Sequence, residues 1–138
     1  FCVVTQISTS RELNRTSPNN IAEQSTRYVD FGKKGNITIC LPHWWDNASW
    51  FKKTIHKVYW KHCELMYKLL LKLGFKPEDA RGVLPLDTAT KVVYTYNVDE
   101  WEHIIDLRFY GVTGKPHPNA KVVAYKILTK LRDLGYEL

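Results

Sequence analysis

Three arginines stand where the chain offers them little solvent: Arg27 in "AEQSTRYVDF", Arg81 in "DARGVLPLD" and Arg108 in "NVDEWEHIIDLRFYG". Arginine presents a planar fork of N–H donors that matches phosphate and carbonyl oxygens in pairs. Arg108 is the sharpest case. Trp101, Ile104 and Ile105 define an apolar stripe at helical spacing, and Arg108 is the next position on it. Leaving a guanidinium unpaired on a buried face costs several kcal/mol. A core carboxylate, a ligand anion, or escape to solvent near a helix C-terminus would each relieve that cost. One such arginine has a structural explanation. Three, far apart in sequence, suit a single planar or phosphorylated anion on which they converge. The run Glu23-Gln24-Ser25-Thr26-Arg27 adds more donors and acceptors than a loop or a core strand needs.

Other chemistry is not signposted. The chain has no glycine-rich phosphate loop, no G-x-G-x-x-G and no H-E-x-x-H. Ser25 has no nearby partner that would mark a nucleophile, and no nucleophile elbow is present. His43, His56 and His117 lack metal-ligand spacing, so no metal is expected. An enzyme built this way needs an external cofactor for its hard step. Cys2, Cys40 and Cys63 have the arithmetic of neither a disulfide framework nor a zinc site. They are expected to be buried, inert thiols in a reducing cytosol. A net charge of +6 suggests an anionic partner without naming it. Lys52, Lys53, Lys57, Lys61, Lys68 and Lys72 read as the solvated side of one helix. Trp44, Trp45, Trp60 and Trp101 read as core or interface residues, so base stacking on RNA or single-stranded DNA is not expected. No apolar run approaches the ~20 residues that span a bilayer.

These residues must be positioned by a modest set of elements. A chain of 138 residues is long enough for one domain with a real core. Residues 1–7 read as a strand, and Thr9-Ser10-Arg11-Glu12 has the form of a capping box opening a short helix. "TSPNN" is a turn, and "STRYVDF" and "NITICLP" read as strands around the turn "GKKGN". A long helix starts near Asn47 and stops at Gly74. Its stripe of Phe51, Ile55, Val58, Tyr59, His62, Leu65, Met66, Leu69, Leu70 and Leu73 is expected to be core, with His62 a satisfied core histidine. "KPEDARG" is a short helix from Pro77 to Gly82, and "TKVVYTY" is a strand. Asn97 caps the next helix with Glu100 at its third position, and that helix ends near Gly111. A last helix carries Ala120, Val123, Ala124, Ile127, Leu128, Leu131 and Leu134 on one face. Without a regular βαβ rhythm the class is α+β: a mixed or antiparallel sheet packed against one long helix and further helices.

"AEQSTRYVDF", "EDARGVLPLDTATKVVYTYNVDEW" and "HIIDLR", in order and in register from about residue 1 to Tyr125, resemble the flavin-dependent thymidylate synthases. That family's signature runs from Arg-His-Arg through a short spacer into Ser-x-Arg-Tyr, and Ser25-Thr26-Arg27-Tyr28 matches its end. The resemblance implies reductive methylation of dUMP to dTMP, with methylenetetrahydrofolate as carbon donor and NADPH as reductant of FAD. It also implies a cytoplasmic homotetramer with sites shared between subunits. Carried over residue by residue, Glu12, Arg15, Glu23, Gln24, Ser25, Arg27, Arg81 and Arg108 would bind dUMP. Arg108 would be catalytic at the pyrimidine edge, favouring the N3-deprotonated ring. Arg15, Glu23, Asn97 and His103 would contact FAD.

The departures are specific. In place of Arg-His-Arg the chain reads "ELNRTSPNN", with Arg15 standing for the first arginine, and Asp99 replaces a common arginine. The chain opens on Phe1, with neither a signal-peptide n-region nor a cleavage site. Residues 1–138 are therefore expected to be a single catalytic domain lacking the family's N-terminal portion. The alternative reading is a non-catalytic basic relative that binds nucleotides or nucleic acid.

Overall fold

The computed structural model describes residues 1–27 and 36–138. In chain order its elements are β1 (Cys2–Gln6), α1 (Ile7–Asn14), β2 (Ile21–Glu23), α2 (Trp50–Lys72), α3 (Pro77–Ala80), a 3₁₀ turn (Arg81–Val83), β3 (Ala89–Tyr94), α4 (Val98–Ile105), a π-helical turn (Asp106–Tyr110) and α5 (Pro118–Asp133). The fold is α+β, and the backbone divides into two compact units, Phe1–Glu23 with Thr90–Leu138, and Gln24–Ala89.

The first unit holds a small sheet in the order β1-β3-β2. β2 runs antiparallel to β3, with Ile21 opposite Tyr94 and Glu23 opposite Val92. Along β3, Thr90, Val92 and Tyr94 are buried while Lys91 and Val93 face out, the period-2 pattern of a half-covered sheet. Val92 and Tyr94 pack with Trp101, Ile104 and Ile105 of α4, Ile127, Leu128 and Leu131 of α5, and Leu13 of α1. The Asn97 capping box is present in full: Glu100 N–H donates to Asn97 Oδ1 and Asn97 N–H to Glu100 Oε2. Beyond α4 the chain widens into the π turn, where Gly111 N–H donates to Asp106 O at 2.7 Å, an i→i+5 bond. Gly111 closes it at φ 75°, where a Cβ would lie 2.8 Å from Gly114 O and from Pro116 Cδ. Only glycine fits such a position.

Two expectations at the start of this unit are corrected. α1 begins at Ile7 with Gln6 as N-cap, so Thr9 and Ser10 are buried inside the helix instead of capping it. Thr9 Oγ1 donates to Gln6 Oε1 at 3.0 Å, and both residues are buried, where a polar group must find a protein partner in place of water. Cys2 is exposed, not buried, because it faces outward on a strand that begins the sheet edge.

In the second unit, residues 25–27 form a turn, not the start of a strand, and the remainder of "STRYVDF" with most of "GKKGN" lies outside the described residues. "NITICLP" contributes only an isolated bridge, Ile39 to Thr88. α2 is capped by Ser49, whose side chain accepts from Lys52 N–H, and it ends at Leu73 before Gly74 at φ 90°. Its buried side is Trp60, Cys63, Glu64 and Tyr67. The predicted stripe is largely exposed: Phe51 and Val58 are each 65% accessible, Leu65 56%, and His62 is exposed as well. Aromatic packing decides which side is covered. Trp60 stacks on Trp45 at 5.1 Å and donates Nε1–H to Asp87, while Tyr67 packs beside Ala80, Leu84 and Ile37. Burial and the nearby Asp87 carboxylate push the Cys40 thiol up.

Candidate active site

Arg108 is met by a carboxylate. Its side chain is 22% exposed, and Nη1–H donates to Glu12 Oε1 at 2.8 Å. Nη2–H donates to the Glu12 carbonyl at 3.1 Å and Nε–H to Thr16 Oγ1 at 3.0 Å. The π turn explains the placement: its wider winding breaks the 3.6-residue register, so Arg108 leaves the buried stripe and reaches α1. A guanidinium carries five N–H donors. With these bonds made, one N–H remains on each terminal nitrogen, a ready pair for two acceptor oxygens.

Glu23, at the end of β2, is held by neutral donors. Ser10 Oγ–H and Thr90 Oγ1–H donate to Oε1 at 2.7 and 3.0 Å, and Asn14 Nδ2–H to Oε2 at 3.0 Å. Tyr94 Oη–H donates to Asn14 Oδ1 at 2.8 Å, which orients the amide. Burial, and then the Glu23 charge, push the Tyr94 hydroxyl well above its ordinary range, so it stays a donor.

Ser10 and Asn14, four residues apart in α1, thus hold Glu23, while Glu12 of α1 and Thr16, just beyond the C-cap Arg15, hold Arg108.

In the second unit the Ser25–Arg27 turn gathers the other predicted residues. Ser25 Oγ accepts from Arg27 N–H at 3.1 Å. Arg27 donates to Glu78 of α3 at 3.2 Å, and Arg81 Nη1–H donates to Thr26 Oγ1 at 3.1 Å. Arg27 and Arg81 are thus brought to one exposed turn. Gln24 is half-buried just before it.

Residues 1–134 match the family model described as thymidylate synthase complementing protein. The chain belongs to this family. It is 32% identical over 91 residues to a probable flavin-dependent thymidylate synthase of Paramecium bursaria Chlorella virus 1, an alignment covering 66% of this chain and 41% of the viral protein. A flavin-dependent thymidylate synthase of Synechocystis sp. is 32% identical over 82 residues, covering 59% and 38% respectively. The matched region is thus about two fifths of those relatives. The UMP/dUMP methylase PolB of Streptomyces cacaoi, in a crystal structure with 5-Br dUMP, shares the fold. Its TM-score is 0.76 at 22% identity, over 96% of this chain and 66% of that one.

These relatives are named flavin-dependent, so the residues present can be tested against a dinucleotide with a pyrophosphate and a polar ring edge. Arg15, at the C-cap of α1, is exposed and makes no side-chain hydrogen bond or ion pair among the described residues. Asn97 spends its Oδ1 on the capping box, which leaves its NH₂ to donate, and His103 is exposed on α4. The donor set fits an anionic ligand rich in acceptors. Asp99, exposed in the first turn of α4, favours the helix dipole but adds no contact of that kind. Sequence reasoning missed Thr16, Ser10, Asn14, Thr90 and Thr26, the neutral residues that hold the charged ones. Their only sequence signal was an unusual density of short polar side chains beside the charges.

Proposed function

We propose that the chain forms the catalytic part of a flavin-dependent thymidylate synthase, converting dUMP to dTMP with methylenetetrahydrofolate as carbon donor and NADPH reducing FAD. The meeting of Arg27 and Arg81 at one turn, in a chain of this family, carries the reading. Arginine forks match phosphate oxygens in pairs, so an exposed turn carrying two of them suits the nucleotide phosphate. Ser25 and Gln24 add donors at the same turn. Arg108 gives its two remaining N–H groups to the carbonyl edge of the pyrimidine. Fixed in advance by Glu12 and Thr16, it stabilises a ring that gains negative charge and favours loss of the N3 proton. Glu23 accepts from the nucleotide or the flavin, and Arg15, Asn97 and His103 hold FAD. When bound, FAD supplies the reducing equivalents of the transfer.

One observation supports a homotetramer with shared sites: the exposed α2 stripe is an apolar face of the kind that marks association surfaces. No described helix is long and apolar enough to cross a membrane.

The test is an absorption spectrum of the full-length protein together with an NADPH-oxidation assay. Oxidised flavin bands and dUMP-stimulated turnover are expected, and Arg108→Ala should lower kcat by about 10²–10³-fold or more. A colourless protein that takes up no added FAD defeats the reading. Nucleotide binding with no turnover assigns the chain to the non-catalytic alternative.

A further inference from the structure

Thr16 and Ser17 directly follow Arg15, the C-cap of α1. Both are engaged within the first unit, and on informative partners. Thr16 Oγ1–H donates to the Glu12 carbonyl at 3.3 Å, which fixes the hydroxyl proton and leaves a lone pair to accept Arg108 Nε–H at 3.0 Å. The same Glu12 carbonyl accepts Arg108 Nη2–H, so hydroxyl, carbonyl and guanidinium close a ring of contacts. A basic side chain at position 16 would set a like charge beside Arg108; a hydroxyl accepts where a cation cannot.

Ser17 does the parallel work one residue on. Its Oγ–H donates to Glu100 Oε1 at 3.3 Å, and its carbonyl accepts Tyr96 Oη–H. Glu100 is the acid of the Asn97 capping box and Tyr96 directly precedes Asn97. Ser17 therefore holds the chain on both sides of Asn97.

We propose that the Thr16-Ser17 pair is a positioning element that fixes Arg108 directly and Asn97 through its cap. It rests on the reading above of Arg108 and Asn97 as ligand-facing groups. Thr16 is the dominant member because its bond goes to the guanidinium itself.

Thr16→Val keeps the side-chain shape and deletes both hydroxyl bonds; Thr16→Ser keeps them. In ¹⁵N-resolved NMR of the full chain, the Arg108 Nε–H signal is expected to be protected from exchange in the native protein and in Thr16→Ser, and to broaden away in Thr16→Val. In the holoenzyme, kcat is expected to fall about tenfold to a hundredfold in Thr16→Val and to recover in Thr16→Ser, as for a misplaced catalytic group. An Arg108 signal untouched by Thr16→Val, or a native kcat in that variant, overturns the proposal. Equal damage in both variants with a lowered Tm also overturns it, because Thr16 then serves folding alone. A native protein without turnover counts against the proposed reaction, and the NMR arm then decides separately whether Thr16 holds Arg108.

Discussion

α5 and α2 look alike as sequences and differ as structures. In α5 the i, i+4, i+7, i+8, i+11 set Ala120, Ala124, Ile127, Leu128 and Leu131 is buried, and only Leu134 at the end escapes. In α2 a longer stripe of the same kind faces out, while Trp60, Cys63, Glu64 and Tyr67 face in. Periodicity tells which residues share a face. It does not tell what covers that face. In α5 the cover is the chain itself: Ile127, Leu128 and Leu131 pack with Val92, Tyr94 and the apolar residues of α4. The apolar stripe of α2 has no such cover among the described residues of its unit.

The widest separation between the two helices should come from placing charges on the α2 stripe. If the proposed homotetramer forms through this stripe, Val58→Asp with Leu65→Asp is expected to dissociate it and abolish the proposed turnover. The chain's own fold should stay within about 0.5 kcal/mol, as exposed substitutions do. Light scattering gives the mass and calorimetry the fold; an undiminished mass would mean the stripe is not the interface. The counterpart on α5 reverses the pattern. Leu128 is 1% exposed, and Leu128→Ala should cost about 2–5 kcal/mol in denaturant unfolding through the cavity it leaves. A cost below 1 kcal/mol, by the same scale, would mean that α5 is as loosely covered as α2.

Legibility followed the same divide. The α4 stripe, the Asn97 capping box, the Gly74 and Gly111 stops, and the α5 face were readable because local backbone requirements and one apolar face settle them. β2 was not, since three residues are too few to show an alternation. The capping box expected at Thr9 was displaced because burial of Thr9, Ser10 and Leu13 sets where α1 begins. Arg27 and Arg81, expected to have little solvent, are both exposed, because the turn and the short helix that carry them lie at the surface; the structure brings the two to one turn. The anomaly at Arg108 was real, yet of the readings left open for it, the carboxylate answer needed the π turn and Glu12 together. Thr16, Asn14 and Ser10 could not be found, because a short hydroxyl or amide beside a charge has no signature until its partner, as many as 92 residues away, is in place.

The smallest expected effect concerns the one charge on the covered side of α2. Glu64 accepts from Lys68, and from Lys61 at 3.4 Å. The Lys68 hydrogen bond holds its carboxyl below the ordinary value near 4.5, burial opposes that, and Lys61 assists. A depressed folded-state value means the unfolded chain binds the proton more tightly. The stabilisation is therefore complete above the ordinary carboxylate range and is lost as pH falls through the folded value. Lys61 and Lys68 side chains are 61% and 33% exposed, so screening limits the contribution to about 0.5–1 kcal/mol. Glu64→Gln should be less stable than the native chain by that amount near neutrality, and the two urea curves should converge in acid. The difference should also shrink with added salt. The buried side of α5 carries no charge, so a variant gap that stayed constant with pH would place the loss in packing. α2 would then be held to its unit in the same way as α5.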